Sequence, residues 1–203
     1  AAGVALTAHF VGIRNGLSDH QSVVREGYER VLAARLADAA FFFEQDRRRP
    51  LAERVGDLAG IAFLSPKLNL KDKTDRIVAL TGVLAAGVGA PAAVKDHAVR
   101  AALLAKADLT TGVVGEFPEL QGVMGRIYAA ADGEAPGVAE AVERHYWPLT
   151  AEGTLPGEDV AALVSVADKL DTLAGNFLIG KIPSGSQDPY GLRRAAIGLL
   201  RIL

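Results

Sequence analysis

Apolar residues along this chain recur mainly at intervals of three and four, the spacing of one helix face. Val24, Tyr28, Val31, Leu32, Leu36, Ala39, Phe42 and Phe43 keep that rhythm and predict one long amphipathic helix. Ser18 and Gln21 stand before it at capping-box distance, and Arg47, Arg48 and Arg49 close it ahead of Pro50, where cations complement the helix dipole. Upstream the pattern differs. Residues 4–14, VALTAHFVGIR, are rich in β-favouring types and end at Asn15-Gly16, which predicts a strand followed by a turn. A boundary therefore falls near Leu17, with residues 1–17 as the end of a preceding β-containing element and 18–203 as a helical domain. A chain that opens inside a predicted strand is expected to be a piece of a longer protein.

Beyond Pro50 the helical rhythm returns after the short segment LAERVGDLAGIAFLSPKLN. Ile77, Leu80, Val83 and Leu84 predict a helix over 71–86, broken by Gly87, Gly89 and Pro91. Pro91 suits the first turn of the next helix, which runs through Val94, Ala98, Ala101, Ala102 and Leu104 towards Asp108, its small residues allowing close packing. Further helices are predicted up to Ala131, after Pro136, from about residue 157 to 173 and from about 189 to 203. The fold class is thus mainly all-α, with a short N-terminal β segment.

Composition narrows the chemistry. Half of the 203 residues are apolar and the formal net charge is −2, so bulk charge does not drive nucleic-acid binding, although a local basic face is compatible with it. The absence of Cys excludes disulfides, thiolate metal sites and a cysteine nucleophile, and suits a reducing cytoplasm. The longest apolar runs contain Gly and Pro and fall short of the roughly 20 residues of a spanning helix, so no membrane partner is expected. The opening residues lack a basic leader and are not read as a signal peptide. No phosphate-binding glycine loop, dinucleotide fingerprint or nucleophile elbow occurs.

The four histidines, His9, His20, His97 and His145, form no pair at three- or four-residue spacing, which argues for scattered surface or core positions. AALLAKADLTT and VSVADKLDTL nevertheless resemble, in shape, motif helices of the HD superfamily. On that resemblance Asp168 matches the last metal ligand, Ala105 and Lys106 stand at the His-Asp doublet, and Lys73 stands at the leading histidine. One carboxylate supplies neither the geometry nor the affinity for a metal that activates water. No metal and no catalytic residue are therefore expected here. The Lys73 and Lys106 ammonium groups are expected either to take the place of the lost cation and pair with Asp168, or to be solvated, in which case only the helical pattern is shared.

Two polar stretches are not reduced to core plus turn. GEFPELQGVMGR carries Glu116, Glu119 and Gln121, and PSGSQDPYGLRR carries Asp188, Arg193 and Arg194. Asp188 is a natural N-cap with Pro189 at the first helical position, and Phe117 with Leu120 can plug the core. Polar residues grouped in loops also suit binding. Arg25, Arg30, Arg35 and Arg47 to Arg49 could meet phosphates, yet the interleaved Glu26, Glu29, Asp38 and Glu44 favour a salt-bridged, solvated face.

Long ordered blocks carry a more specific resemblance. HFVGIRN, VVREGYERVLAARLADAAFFFEQD, KTDRI, AALLAKADLTTGVVGEFPELQGVMGRIYA, ERHYWP and the stretch from VADKLDTL to the last residue together resemble the bacterial glycyl-tRNA synthetase β subunit. Asn69 stands where that family is expected to carry Gly, and Val113 where Met is expected. The resemblance implies an HD-like helical bundle from the middle of β, in a cytoplasmic ligase of two α and two β subunits. It implies that ATP and glycine are handled by the α subunit, with no cofactor in this region. tRNA(Gly) and the α subunit are the implied partners, and DNA is not. Arg35, Glu116, Glu119, Gln121, Asp188, Arg193 and Arg194 are the proposed tRNA or partner contacts, and Lys73, Ala105, Lys106 and Asp168 the degenerate HD site. An active HD-type phosphohydrolase and a purely structural spacer are the rival readings.

Overall fold

A computed structural model describes residues 7–17, 19–183 and 188–203. The chain divides into two compact units, Ala1–Phe41 and Phe42–Leu203. The first holds irregular chain over residues 7–17 and most of helix α1, Gln21–Asp46. Within it the Tyr28 ring packs against Gly12 so closely that a Cβ there would lie 2.9 Å from the ring. The strand predicted at 4–14 is not formed over residues 7–14; residues 4–6 and Ser18 lie outside the described residues. β-favouring composition makes a strand only where a second strand supplies hydrogen bonds, and among the described residues none pairs with this segment.

The second unit is helical, as the periodicity predicts. Its α-helices are α2 (Leu70–Gly87), α3 (Ala92–Leu104), α4 (Gly112–Glu116), α5 (Val123–Ala131), α6 (Pro136–Arg144), α7 (Asp159–Leu178) and α8 (Leu192–Ile202). Helices of the 3-10 type cover Leu51–Gly60, Ala107–Thr110 and Pro118–Leu120. An antiparallel pair, β1 (Ala62–Phe63) and β2 (Ser65–Asn69), was not foreseen and leads directly into α2. There Asn69 closes a capping box, accepting from Asp72 N at 2.9 Å while its own N–H reaches the Asp72 carboxylate at 3.4 Å. Asn at this position thus supplies a cap that Gly has no side chain to make.

Helix α7 is central and packs on α2, α3, α6 and α8. The small residues Ala98, Ala101, Ala102 and Ala105 are fully buried and let α3 approach its neighbours. Ile77 of α2 and Leu104 of α3 fill the core beside them, each worth about 2 kcal/mol of burial. α8 comes close to α7 at Gly198, where a Cβ would stand 3.0 Å from Lys169 and 3.1 Å from Pro148.

Buried carboxylates stitch the short elements together. Asp46, at the end of α1, accepts from Gly112 N at 2.8 Å, Val113 N at 2.9 Å and the Tyr128 hydroxyl at 3.0 Å, with Arg54 alongside at 3.5 Å. The free N–H groups of α4 are thereby satisfied. Asp108 does the same for α5, accepting from Gly122 N at 2.6 Å and Gly125 N at 3.2 Å. Burial pushes the Asp108 carboxyl up, and the two backbone donors oppose that. Asp188 accepts from Leu192 N at 2.8 Å and Arg193 N at 2.9 Å. It caps α8 as expected of its type, but the helix starts at Leu192 and not at Pro189, because Gly191 in the left-handed region first turns the chain.

Candidate functional site

Lys73, Lys106 and Asp168 converge where α2, α3 and α7 meet. The first turn of α2 projects Lys73, the chain leaving α3 projects Lys106, and the middle of α7 supplies Asp168. Lys73 Nζ lies 2.8 Å from Asp168 Oδ1 and Lys106 Nζ lies 2.9 Å from Asp168 Oδ2. The three residues are 3%, 5% and 8% exposed, which removes the solvated reading of the two lysines. Ala105 is fully buried beside them and contributes packing without a polar atom.

Residues not singled out from sequence complete the cluster. Lys73 also donates to Asp171 Oδ2 at 3.1 Å and Thr172 Oγ1 at 2.8 Å, and Arg76 pairs with Asp171 at 2.5 Å. Lys106 Nζ lies 2.8 Å from His145 Nε2, while His145 Nδ1 lies 2.8 Å from the Val142 carbonyl. A carbonyl only accepts, so Nδ1 carries the proton and Nε2 accepts from the ammonium. Aromatic faces add to the hold on both cations. Lys73 sits 4.7 Å from the Phe63 centroid and Lys106 4.0 Å from that of Tyr146.

Electrostatics follow from that enclosure. Burial pushes the Asp168 carboxyl up, but the adjacent Lys106 and Lys73 charges outweigh it and hold the group well below the usual carboxylate range. Burial lowers Lys106, with Asp168 opposing, and the same burial, reinforced by the Lys106 charge, keeps His145 well below its ordinary value and neutral. Next to Asp168 on α7, Lys169 donates to the Trp147 carbonyl at 2.8 Å, to the His145 carbonyl at 3.2 Å and to Ser165 Oγ at 2.6 Å, and burial brings it down to about 8.

These donors do not fit a metal. Both Asp168 oxygens already face ammonium groups, His145 Nε2 faces Lys106 as well, and an entering cation would be repelled at each. Among the described residues no three His, Asp or Glu side chains converge as a metal requires.

The remaining predicted positions are dispersed. Arg35 is exposed on α1 in the first unit, Glu116 is half-buried at the end of α4, and Asp188 is used as a cap. Glu119, Gln121 and Arg194 share the lining of one cleft in the second unit, whereas Arg193 is exposed one residue away from it. Asp171 was within reach of sequence reasoning, because it follows Asp168 by three residues on the same helix face. His145 was not, since it reaches the cluster from the end of α6 with no periodic signal.

Fold and site together define a helical-bundle protein with a closed ionic core built on Asp168. The sequence profile of the family described as Glycyl-tRNA synthetase beta subunit matches residues 2–203. The chain is 50% identical to the Glycine--tRNA ligase beta subunit of Desulforamulus reducens over 194 residues, which is 96% of this chain and 28% of that protein. It is 50% identical over 198 residues to that of Trichlorobacter lovleyi, covering 98% and 28%, and 49% identical over 194 residues to that of Geobacter sulfurreducens, covering 96% and 28%. The chain belongs to the glycyl-tRNA synthetase β-subunit family and spans about 28% of the length of these relatives. Among its described residues no helix is long and apolar enough to cross a membrane.

Proposed function

We propose that this chain is the part of a glycine–tRNA ligase β subunit that supports tRNA(Gly) binding and assembly with the α subunit, through an HD-like bundle whose metal position is filled by ammonium groups. The observation that carries this reading is the joint one: a family match over residues 2–203 together with Lys73 and Lys106 closing on Asp168. Aminoacylation of tRNA is the activity of the whole cytoplasmic ligase, with ATP and glycine bound by the α subunit. The bundle holds no catalytic group of its own. Its contribution is a rigid surface, since two positive charges and one carboxylate fix three helices against one another as the metal does in an HD phosphohydrolase. The phosphohydrolase reading finds no support in a donor set that repels cations.

Arg193 and Arg194 on α8 are exposed and suit phosphate binding. Their joint change, Arg193→Glu with Arg194→Glu, is to be made in the full-length β subunit within the assembled ligase. We expect tRNA affinity to fall and the slope of log affinity against log salt to drop by about 2, one for each phosphate no longer neutralised. An unaltered affinity with an unaltered slope would sink the RNA role of this face.

A further inference from the structure

The two polar stretches that resist a core-and-turn account meet in space. A cleft of about 650 Å3 is lined by Glu119 and Gln121 from the first, Arg194 from the second, and Tyr146, Trp147 and Thr154 between them. Its aromatic wall is locked. Tyr146 is pressed on one side by Gly122, where a Cβ would stand 2.8 Å from the ring, and Lys106 lies 4.0 Å from its centroid. Trp147 is steadied by the Arg144 guanidinium 5.5 Å from its centroid, itself paired with Glu140 and Glu158. Glu143 also borders the cleft, but Arg126 pairs with its carboxylate. The wall therefore connects through Tyr146 and Lys106 to the ionic core.

The chemistry of the lining selects a ligand class. A volume of this size takes one small molecule or one nucleotide, and an RNA duplex is far too wide to enter. Flat aromatic faces accept any planar base, a primary amide both donates to and accepts from a base edge, and a guanidinium matches a phosphate. Glu119 accepts from an exocyclic amine and disfavours a polyanion, so it selects a base with an amino group and a single phosphate at the Arg194 end. We propose that this cleft receives one unpaired, amino-bearing nucleotide of an RNA, its base stacked on Trp147, its edge read by Gln121 and Glu119, and its phosphate on Arg194. The proposal rests on the reading that this region handles tRNA. A free nucleotide has the same chemistry, and the experiment separates the two sources.

The test uses the assembled ligase with full-length β. tRNA(Gly) affinity is measured for the native protein and for Trp147→Ala, Trp147→Phe and Gln121→Ala. Photocrosslinked tRNA is then mapped on the native protein, with and without competing AMP or CMP. We expect Trp147→Ala to weaken tRNA binding by about five- to a hundred-fold, as removal of one stacked base does. Trp147→Phe is expected to recover most of it, Gln121→Ala to weaken it less, and crosslinks to fall within 143–148. Gln121 is exposed, so its change reports on binding even where the Trp147 variant is poorly folded. Crosslinks elsewhere in 42–203, with Gln121→Ala and Trp147→Phe binding like the native protein, overturn the cleft and leave the tRNA reading standing. No crosslink anywhere in 42–203 overturns both. AMP or CMP occupying the cleft without displacement by tRNA overturns the RNA assignment.

Discussion

Replacing Asp168 by Asn removes the carboxylate that touches both ammonium groups, at 2.8 Å for Lys73 and 2.9 Å for Lys106. Lys73 keeps Asp171 and Thr172, so the loss falls on Lys106, whose neighbour is then a neutral imidazole. A buried ammonium stranded in this way can shed its proton. Doing so at pH 7 from an ordinary value near 10.4 costs about 4.6 kcal/mol, which sets a ceiling on the penalty. Burial already holds Lys106 below its ordinary value in the intact protein, so the added cost is smaller than the ceiling. Broken buried ion pairs cost about 3–5 kcal/mol, and we expect a loss of about 3 kcal/mol for Asp168→Asn in urea unfolding at pH 7. The deficit should shrink as pH rises from 7 to 10, because a neutral lysine needs no partner. Replacing all three charges, with Lys73→Met, Lys106→Met and Asp168→Leu, should restore stability to within about 1 kcal/mol of the native protein or exceed it. A deficit below about 1 kcal/mol for Asp168→Asn, or one that does not change with pH, would refute the argument.

Two further outcomes follow from the same geometry. Asp46→Ala leaves Gly112 N, Val113 N and the Tyr128 hydroxyl without their acceptor, and should cost about 2–4 kcal/mol, read by thermal or urea unfolding. Lys169 has a folded value of about 8, below the unfolded value near 10.4, so both states are protonated below pH 8 and no pH dependence arises there. Between pH 8 and 10 the unfolded state binds more protons and stability rises with pH, by up to about 3 kcal/mol over the full window. Lys169→Met should flatten that rise when the two unfolding curves are compared across this range, and an equal slope in both proteins counts against the assignment.

The parts of this molecule that sequence made legible are those in which a local pattern and burial agree. Helices α2, α3, α6, α7 and α8 announce themselves because Pro, Gly and capping residues bracket three-and-four spacing. Lys73, Ala105, Lys106 and Asp168 could be named only through the resemblance of their segments to HD motif helices, and their convergence needed the packing of α2, α3 and α7. His145 and Lys169 could not be joined to them, since their reach depends on how α6 and α7 cross. The pair β1–β2 was missed because seven residues around Leu64, whose φ is +65°, give too short a run for alternation to show. The opposite difference lies at residues 7–14, where β-favouring side chains stand without a partner strand among the described residues. Glu119, Gln121 and Arg194 were picked as polar loop residues, but their shared cleft emerged only from the packing of α6 and α8 around Trp147.

The central claim is that the ionic core holds helices together and takes no part in bond making. Glycylation of tRNA(Gly) by the assembled ligase, with full-length β carrying Lys73→Met, Lys106→Met and Asp168→Leu together, tests it most directly. A folded assembly whose turnover stays within about two-fold of the native enzyme is expected, because removing a group outside the transition state leaves kcat untouched. A folded, tRNA-binding assembly whose turnover falls by about a hundred-fold or more, the loss typical of a removed acid–base group, would contradict it.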